Sequence, residues 1–286
     1  MKKRILVFIG LTLLVIGLVF EPLKSLMGSA ARGEYYSHII LIPLVSAYLI
    51  WQKRKEIFLT PGPIYPLGLA LAVCGAVIYG LGLTLGKGFN QNDQTALLTF
   101  SAILIWAGGF LSLFGAQAIK KASFAILFLV FMIPIPSAIL DKIIYALQVW
   151  STEAAEILFA VSGVPYNRQG FVFQLPGISV EVAEVCSGIR SSLALFITSI
   201  LAGHFFLDKF WKKVILALIV FPVTVFKNGI RIVTLSLLGA YVDVRFLTDS
   251  FLHRSGGFVF FIPALVLLGV ALWWLRKTGN RAPRRT

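Results

Sequence analysis

The sequence predicts an all-α polytopic membrane protein of about eight transmembrane helices, with an extracytoplasmic amphipathic helix and a short β-hairpin before the sixth span. Three observations carry this reading. Apolar residues make up 58% of the 286-residue chain, the mean hydropathy is +0.89, and the few charged residues gather in clusters between apolar runs long enough to cross a bilayer. A net charge of +14 would suit nucleic acid on a soluble domain. Here the basic residues sit at the ends of apolar runs and form no stripe, so nucleic acid is excluded as a partner and membrane lipid is expected. Cys74 and Cys186 lie far apart with no C-x-x-C, so neither a disulfide framework nor a redox pair is indicated, and no cofactor or metal site is expected.

The whole chain, 1–286, reads as one integral-membrane domain with spans at about 5–21, 38–52, 65–86, 95–117, 122–136, 187–207, 211–231 and 256–275. An extracytoplasmic insertion occupies 137–186 and a basic cytoplasmic tail occupies 276–286. The first span follows Lys2, Lys3 and Arg4 and reads as an uncleaved anchor, since many spans follow it. The alternative is a signal peptide ending at Gly28-Ser29-Ala30. An even number of spans with both termini inside puts five basic clusters in the cytoplasm: Lys2–Arg4, Lys53–Lys55, Lys120–Lys121, Lys209–Lys213 and the tail from Arg276. Of the 12 acidic residues only Glu56 and Asp208 fall on that side, as the positive-inside rule requires. The membrane is expected to be the cytoplasmic (inner) one.

The insertion follows Pro134-Ile135-Pro136, which closes the fifth span. Residues 138–161 read as a helix with Ile139, Ile143, Leu147, Trp150 and Ala154 on one face, while Asp141, Glu153 and Glu156 interrupt any spanning reading. It is expected to lie along the outer surface. From Arg168 the period changes to two: Phe171–Leu175, a Pro176-Gly177 turn, then Ile178–Val182, a hairpin leading straight into Cys186. That hairpin is either a loop capping the bundle or a platform or lid for a site.

Span arithmetic then gathers the chemistry. A bilayer core of about 30 Å takes about 20 helical residues. Cys186 precedes Lys209 by 23 positions and His253 precedes Arg276 by 23, so both belong at the outer interface. The apolar run Val214–Phe226 is too short to cross, which extends the seventh span to Arg231 and brings Lys227, Asn228 and Arg231 to the same depth. His204 falls at the opposite side, whereas His38 remains a candidate. Taken singly, Cys186 is a packing residue as readily as a nucleophile, Arg231 a snorkelling cation and His253 an interfacial polar residue. Together, thiol, cation and imidazole are what thiol-based acyl transfer requires. Cys186 is expected to begin a helix, with the positive end of its dipole at the sulfur and Arg190 one turn on along the same face. Asn228 and Arg231, three residues apart on a helix, are expected to serve one oxyanion. Gly256 and Gly257 after His253 allow close backbone approach.

At these residues the sequence resembles the exosortase/archaeosortase family of membrane-embedded, sortase-like cysteine transpeptidases. The matching pieces are Ala183-Glu184-Val185-Cys186-Ser187-Gly188-Ile189-Arg190, then Asn228-Gly229-Ile230-Arg231, then His253-Arg254-Ser255-Gly256-Gly257. Tyr36-Ser37-His38 before an apolar span is similar to the family's early region, and the likeness covers about residues 35–275. The resemblance implies recognition of a C-terminal sorting signal, a motif such as Pro-Glu-Pro followed by a hydrophobic helix and a basic tail (PEP-CTERM-like). Cleavage next to the motif on the outer face and transfer to an acceptor, a lipid or a glycan, would follow. It implies Cys186 as nucleophile, Arg231 as stabiliser of the oxyanion or thiolate, and His253 as the proton carrier. Glu184, Arg190, Asn228, His38 and Asp249 complete the candidate set, Asp249 standing one helical turn before His253 where it would orient the imidazole.

The expected mechanism is a two-step acyl transfer through a thioester, with the substrate helix beside the bundle and its motif added as a strand to the 168–182 hairpin. Two rivals remain: a protease that only hydrolyses, and an anion transporter or channel with Lys227, Arg231 and His253 lining the path. The internal symmetry of transporters is not found in this sequence.

Overall fold

The computed structural model describes residues 2–28, 36, 38–58, 66–248 and 259–278. Among these, five helices are long and apolar enough to cross a membrane by length and composition, and one small antiparallel sheet accompanies them. The molecule is an all-α polytopic membrane protein. Its chain divides into two compact units, Met1–Leu140 and Asp141–Thr286.

The first unit is built around one long helix. Helices α1 (Lys2–Gly28), α2 (Leu41–Gln52), α3 (Arg54–Phe58) and α4 (Pro66–Thr84) all pack against α5 (Gln91–Phe128). The α4–α5 contact is nearly backbone to backbone. Gly68, Gly75 and Gly82, seven residues apart, form the buried stripe of α4. A Cβ on Gly68 would lie 2.4 Å from the Ser112 nitrogen, and one on Gly108 would lie 2.5 Å from that of Ala72. In lipid, where apolar side chains gain nothing by leaving their surroundings, such close approach is what draws helices together. On another side of α5, Phe8 of α1 meets Trp106, Phe110 and Phe114, and Trp106 Nε1 donates to Thr12 Oγ1 at 3.0 Å.

The spans read at 95–117 and 122–136 belong to one element broken at Gly115, where φ is +85°. Only glycine takes that conformation without a Cβ clash, so the break falls there and not at the Lys120–Lys121 pair. A 3-10 turn, Leu129–Met132, follows. A polar knot then ties the Pro134–Pro136 bend to the start of α5: Tyr36 Oη donates to Asn92 Oδ1, Asn92 Nδ2 to the Ile135 carbonyl at 2.8 Å, and the Ser137 amide to Asp93 Oδ1 at 2.6 Å.

The second unit holds most of α6 (Ser137–Ser162), strands β1 (Asn167–Gln169), β2 (Val172–Leu175) and β3 (Ile178–Glu181), then α7 (Ile189–Phe206), α8 (Phe210–Tyr241), α9 (Arg245–Thr248) and α10 (Phe261–Lys277). The expected hairpin is present with Leu175 opposite Ile178, and β1 adds a third strand in the order β1-β2-β3. Sequence reading missed β1 because its residues, Asn167, Arg168 and Gln169, are polar. A side-chain clamp holds it: Arg168 pairs with Glu153 at 2.7 Å and with Glu156 of the same α6 face. Inside, Phe173, Leu175 and Val182 of the sheet region share a core with Ala155 and Phe159 of α6 and Ile232 and Val233 of α8. The α6 stripe anticipated from sequence faces outward at Ile139 and Trp150, while Leu140, Ile144, Leu147, Ala155 and Phe159 turn inward.

Helices α7, α8 and α10 form a second core through Leu195, Leu216, Val220, Ala264 and Leu268, closed by Lys212 Nζ donating to the Leu275 carbonyl. The seventh span, expected to end at Arg231, continues as helix to Tyr241. Nothing in Ile232–Tyr241 breaks a helix, and Ile232, Val233, Leu235 and Ser236 are buried there.

Two predictions follow from this packing. Gly68→Val should destabilise the folded protein in detergent by about 1–3 kcal/mol, the usual cost of overpacking, whereas Gly80→Val, at a position with nothing within 4 Å, should leave the unfolding midpoint unchanged. The second concerns pH. Arg168, hydrogen-bonded to Glu153, holds that carboxyl below the usual carboxylate range. A depressed folded-state value stabilises above the unfolded glutamate value of about 4.3 and loses that contribution as pH falls through the folded one. The protection factors of the β1 amides against exchange should therefore fall on acidification below about pH 4.3, and Arg168→Gln should remove this pH dependence.

Candidate active site

The site begins where the sheet hands the chain to α7. Val182 is fixed at both ends, its N–H donating to the Phe171 carbonyl at 2.9 Å and its carbonyl accepting from Gln148 Nε2 at 2.6 Å. The chain then makes a 3-10 turn, Glu184–Cys186, in which the Cys186 amide donates to the Ala183 carbonyl at 2.8 Å. Cys186 was expected to open the helix. Instead Gly188 intervenes in the left-handed region at φ +77°, and α7 starts at Ile189. The reason is conformational: a left-handed residue cannot continue a right-handed helix, and glycine takes it at least cost. Arg190 is therefore not one turn on from the thiol along a shared face. It lies in the first turn of α7 beyond Gly188, and Glu184 is exposed at the start of the 3-10 turn.

Helix α8 holds this turn from below. Asn228 is fully buried and its Nδ2 donates to the Cys186 carbonyl at 2.8 Å. The approach is close enough that a Cβ on Gly188 would lie 3.1 Å from Asn228 Oδ1. Asn228 was expected to join Arg231 at one oxyanion; in the structure it contacts the turn and is not among the residues that line the cavity beside the thiol. Lys227, also buried, donates to Ser191 Oγ. Ser191 and Ser192 both donate to the Gly188 carbonyl, at 2.9 and 2.8 Å.

Arg231, one turn above Asn228 on α8, shares a cavity of about 210 Å³ with Cys186. One wall is Ser179–Val182; the other is Arg231, Ile232, Leu235 and Ser236 of α8, with Leu247 of α9 at the side. Leu247 reaches in because Gly239 lets α9 approach, a Cβ there meeting Leu247 Cγ at 2.7 Å. The Nε of Arg231 and the Oγ of Ser236 are buried without a hydrogen-bond partner, and among the described residues no carboxylate pairs with Arg231. A thiol beside an uncompensated guanidinium is an arrangement suited to nucleophilic attack with stabilisation of the resulting oxyanion.

His204 occupies the last turn of α7, about 22 Å along the helix from Ile189. His38 belongs to the first unit, half-buried in the turn leading to α2. His253, Asp249, Gly256 and Gly257 lie outside the described residues. Among the described residues no cluster of His, Cys, Asp and Glu could hold a metal. Sequence reasoning missed Gln148, Ser191 and Ser236. Gly188 inside Cys-Ser-Gly-Ile was the available signal for the break, but no periodicity marks a serine that faces a cavity.

With this geometry in place, comparison with known families decides the assignment. The family model described as transmembrane exosortase matches residues 29–270. The chain belongs to the transmembrane exosortase family. No curated relative and no solved structure matches it. Membership of the exosortases makes it a membrane-embedded, multi-pass protein of a family with cysteine-dependent peptidase or transpeptidase chemistry directed at sorting signals.

The clamp on the turn is testable in a Cys74→Ser background, leaving Cys186 as the single thiol. Gly188→Ala should cost about 1–2 kcal/mol for the left-handed backbone and should also change the rate of Cys186 alkylation by a small reagent. Gly170→Ala, also at positive φ but in open space, should cost stability and leave the alkylation rate unchanged.

Proposed function

We propose that this exosortase is a cysteine transpeptidase that cleaves PEP-CTERM-like C-terminal sorting signals of exported proteins and passes them to an acceptor through a thioester. The observation that carries the reading is the shared cavity of Cys186 and Arg231. The Cys186 thiolate attacks the scissile carbonyl and a C–S bond forms. Arg231 takes the charge that develops on oxygen, and the C–N bond breaks as the leaving amine receives a proton. His253 supplies that proton, a role that rests on the family motif His253-Arg254-Ser255-Gly256-Gly257. An acceptor nucleophile, a lipid or a glycan, then displaces the thiolate and completes the transfer. Asn228 acts one step removed, holding the Cys186 backbone.

The charge pattern supports an orientation in the inner membrane with both termini in the cytoplasm and the cavity on the outer side. Arg231 lies 21 residues from Phe210 at the other end of α8, about 32 Å along the helix and so about one hydrocarbon thickness away.

The test is a co-expressed reporter ending in a tripartite tail (short motif, apolar helix, basic residues) taken from the same genome. Cys186→Ala should abolish processing while the protein stays in the membrane; intact processing would overturn the reading. Arg231→Lys keeps the charge but loses the forked donors, and a fall of about 10²-fold in rate is expected. Added hydroxylamine should trap the thioester as a reporter hydroxamate. Free carboxylate alone, at any hydroxylamine concentration, would assign hydrolysis without transfer.

A further inference from the structure

The cavity at Cys186 has a wall whose form is informative in itself. Side chains of a strand alternate between its two faces, yet four consecutive residues, Ser179, Val180, Glu181 and Val182, line this cavity. A ligand space touched by successive residues lies along the strand's edge, not over a face. In the order β1-β2-β3, β3 is an edge strand, paired on one side with β2 alone.

The register says which groups point outward. Hydrogen-bonded and non-bonded pairs alternate along an antiparallel ladder. The Val182 amide donates to the Phe171 carbonyl, so Val182 directs its N–H, and Val180 both its N–H and C=O, toward β2. Ser179 and Glu181 direct theirs away from it. Among the described residues neither backbone has a partner on that side. Across the cavity, α8 presents two more unpartnered donors, Arg231 Nε and Ser236 Oγ, both buried. Buried donors are nearly always satisfied in folded proteins, so a pair of orphans on one cavity wall marks a place where an acceptor is bound in use.

From this we infer that the polypeptide cleaved at Cys186 binds in extended form as a fourth strand on the outer edge of β3. One edge of the bound segment pairs with the N–H and C=O of Ser179 and Glu181. Its other edge offers carbonyls to Arg231 and Ser236. Strand addition gives affinity through the main chain, and the alternate side chains of the bound segment supply specificity. Ser236 is thereby a substrate-positioning residue for the exosortase reaction. The inference rests on the transpeptidase reading and specifies how the substrate is held.

The experiment uses the reporter's C-terminal segment as synthetic peptides flanking the scissile bond, each with one backbone N–H replaced by N–CH₃, processed by the full-length protein in lipid nanodiscs. Methylation should lower kcat/KM by about tenfold at alternate positions, the cost of one buried hydrogen bond, and by little at the positions between. On the enzyme side, Glu181→Pro should lower kcat/KM at least tenfold below Glu181→Ala, since both remove the carboxylate and only proline removes the N–H. Cys186 alkylation in Glu181→Pro should remain at the wild-type rate, which reports an intact turn. Ser236→Ala should raise KM several-fold with kcat little changed. A flat methylation scan, with processing still dependent on Cys186, overturns strand addition and leaves the transpeptidase reading standing. Processing that survives Cys186→Ala overturns both.

Discussion

The hydrogen bond from the Asn228 side chain to the Cys186 carbonyl is the contact on which the site depends. The segment between β3 and α7 has little order of its own, since it holds a single 3-10 turn and a left-handed glycine, and α7 has no side-chain cap. A fully buried amide left without its acceptor costs about 1–3 kcal/mol, so Asn228 and the turn hold one another in place. Gly188 is part of the same device. A Cβ there would lie 3.1 Å from Asn228 Oδ1, so any other residue would press the side chain away by a few tenths of an ångström.

The bond positions the thiol only because α8 is itself fixed. On one side it meets α6, where Gly229 permits contact with Ala154 at a would-be Cβ distance of 2.9 Å, and the two helices share a core with the sheet. On another side it packs with α7 and α10. Lys227, Asn228, Arg231 and Ser236 therefore stand on one rigid rod, the first two beneath the turn and the last two in the cavity wall. Sites carried on packed helices hold their geometry better than sites assembled from loops. The sheet is fixed to the same rod through Ile232 and Val233, so the spacing between β3 and α8 is set by core packing.

Much of this was legible in the sequence, and what escaped did so for physical reasons. Long apolar runs and charge clusters reveal a polytopic protein because lipid imposes its length scale on every span. Counting residues from Lys209 brought Cys186 and Arg231 to a common depth, since a straight helix advances at a constant rise. Backbone conformation was less visible. Gly115 breaks a helix that composition divides elsewhere, and Gly188 separates Cys186 from α7, yet a glycine at positive φ looks like any other glycine in a sequence. The contact of Asn228 with the turn was hidden for a related reason. Its spacing from Arg231 suggested a shared target, but side chains three residues apart differ by about 60° around a helix, enough for one to face the turn and the other the cavity. β1 escaped because an ion-pair clamp, not hydrophobic alternation, holds it.

Among the described residues Arg231 has no counter-ion, and this bears on the chemistry. A buried or half-buried cation in a low-dielectric setting ordinarily acquires a carboxylate partner. Among the described residues Arg231 has none, although acidic residues pair readily with Arg168 in the same unit. A resident carboxylate would neutralise the guanidinium in the ground state and weaken its pull on charge formed later. Rate acceleration comes only from interactions stronger in the transition state than before it, so on the proposed mechanism a guanidinium with no carboxylate among the described residues would meet the oxyanion without first having to break an ion pair.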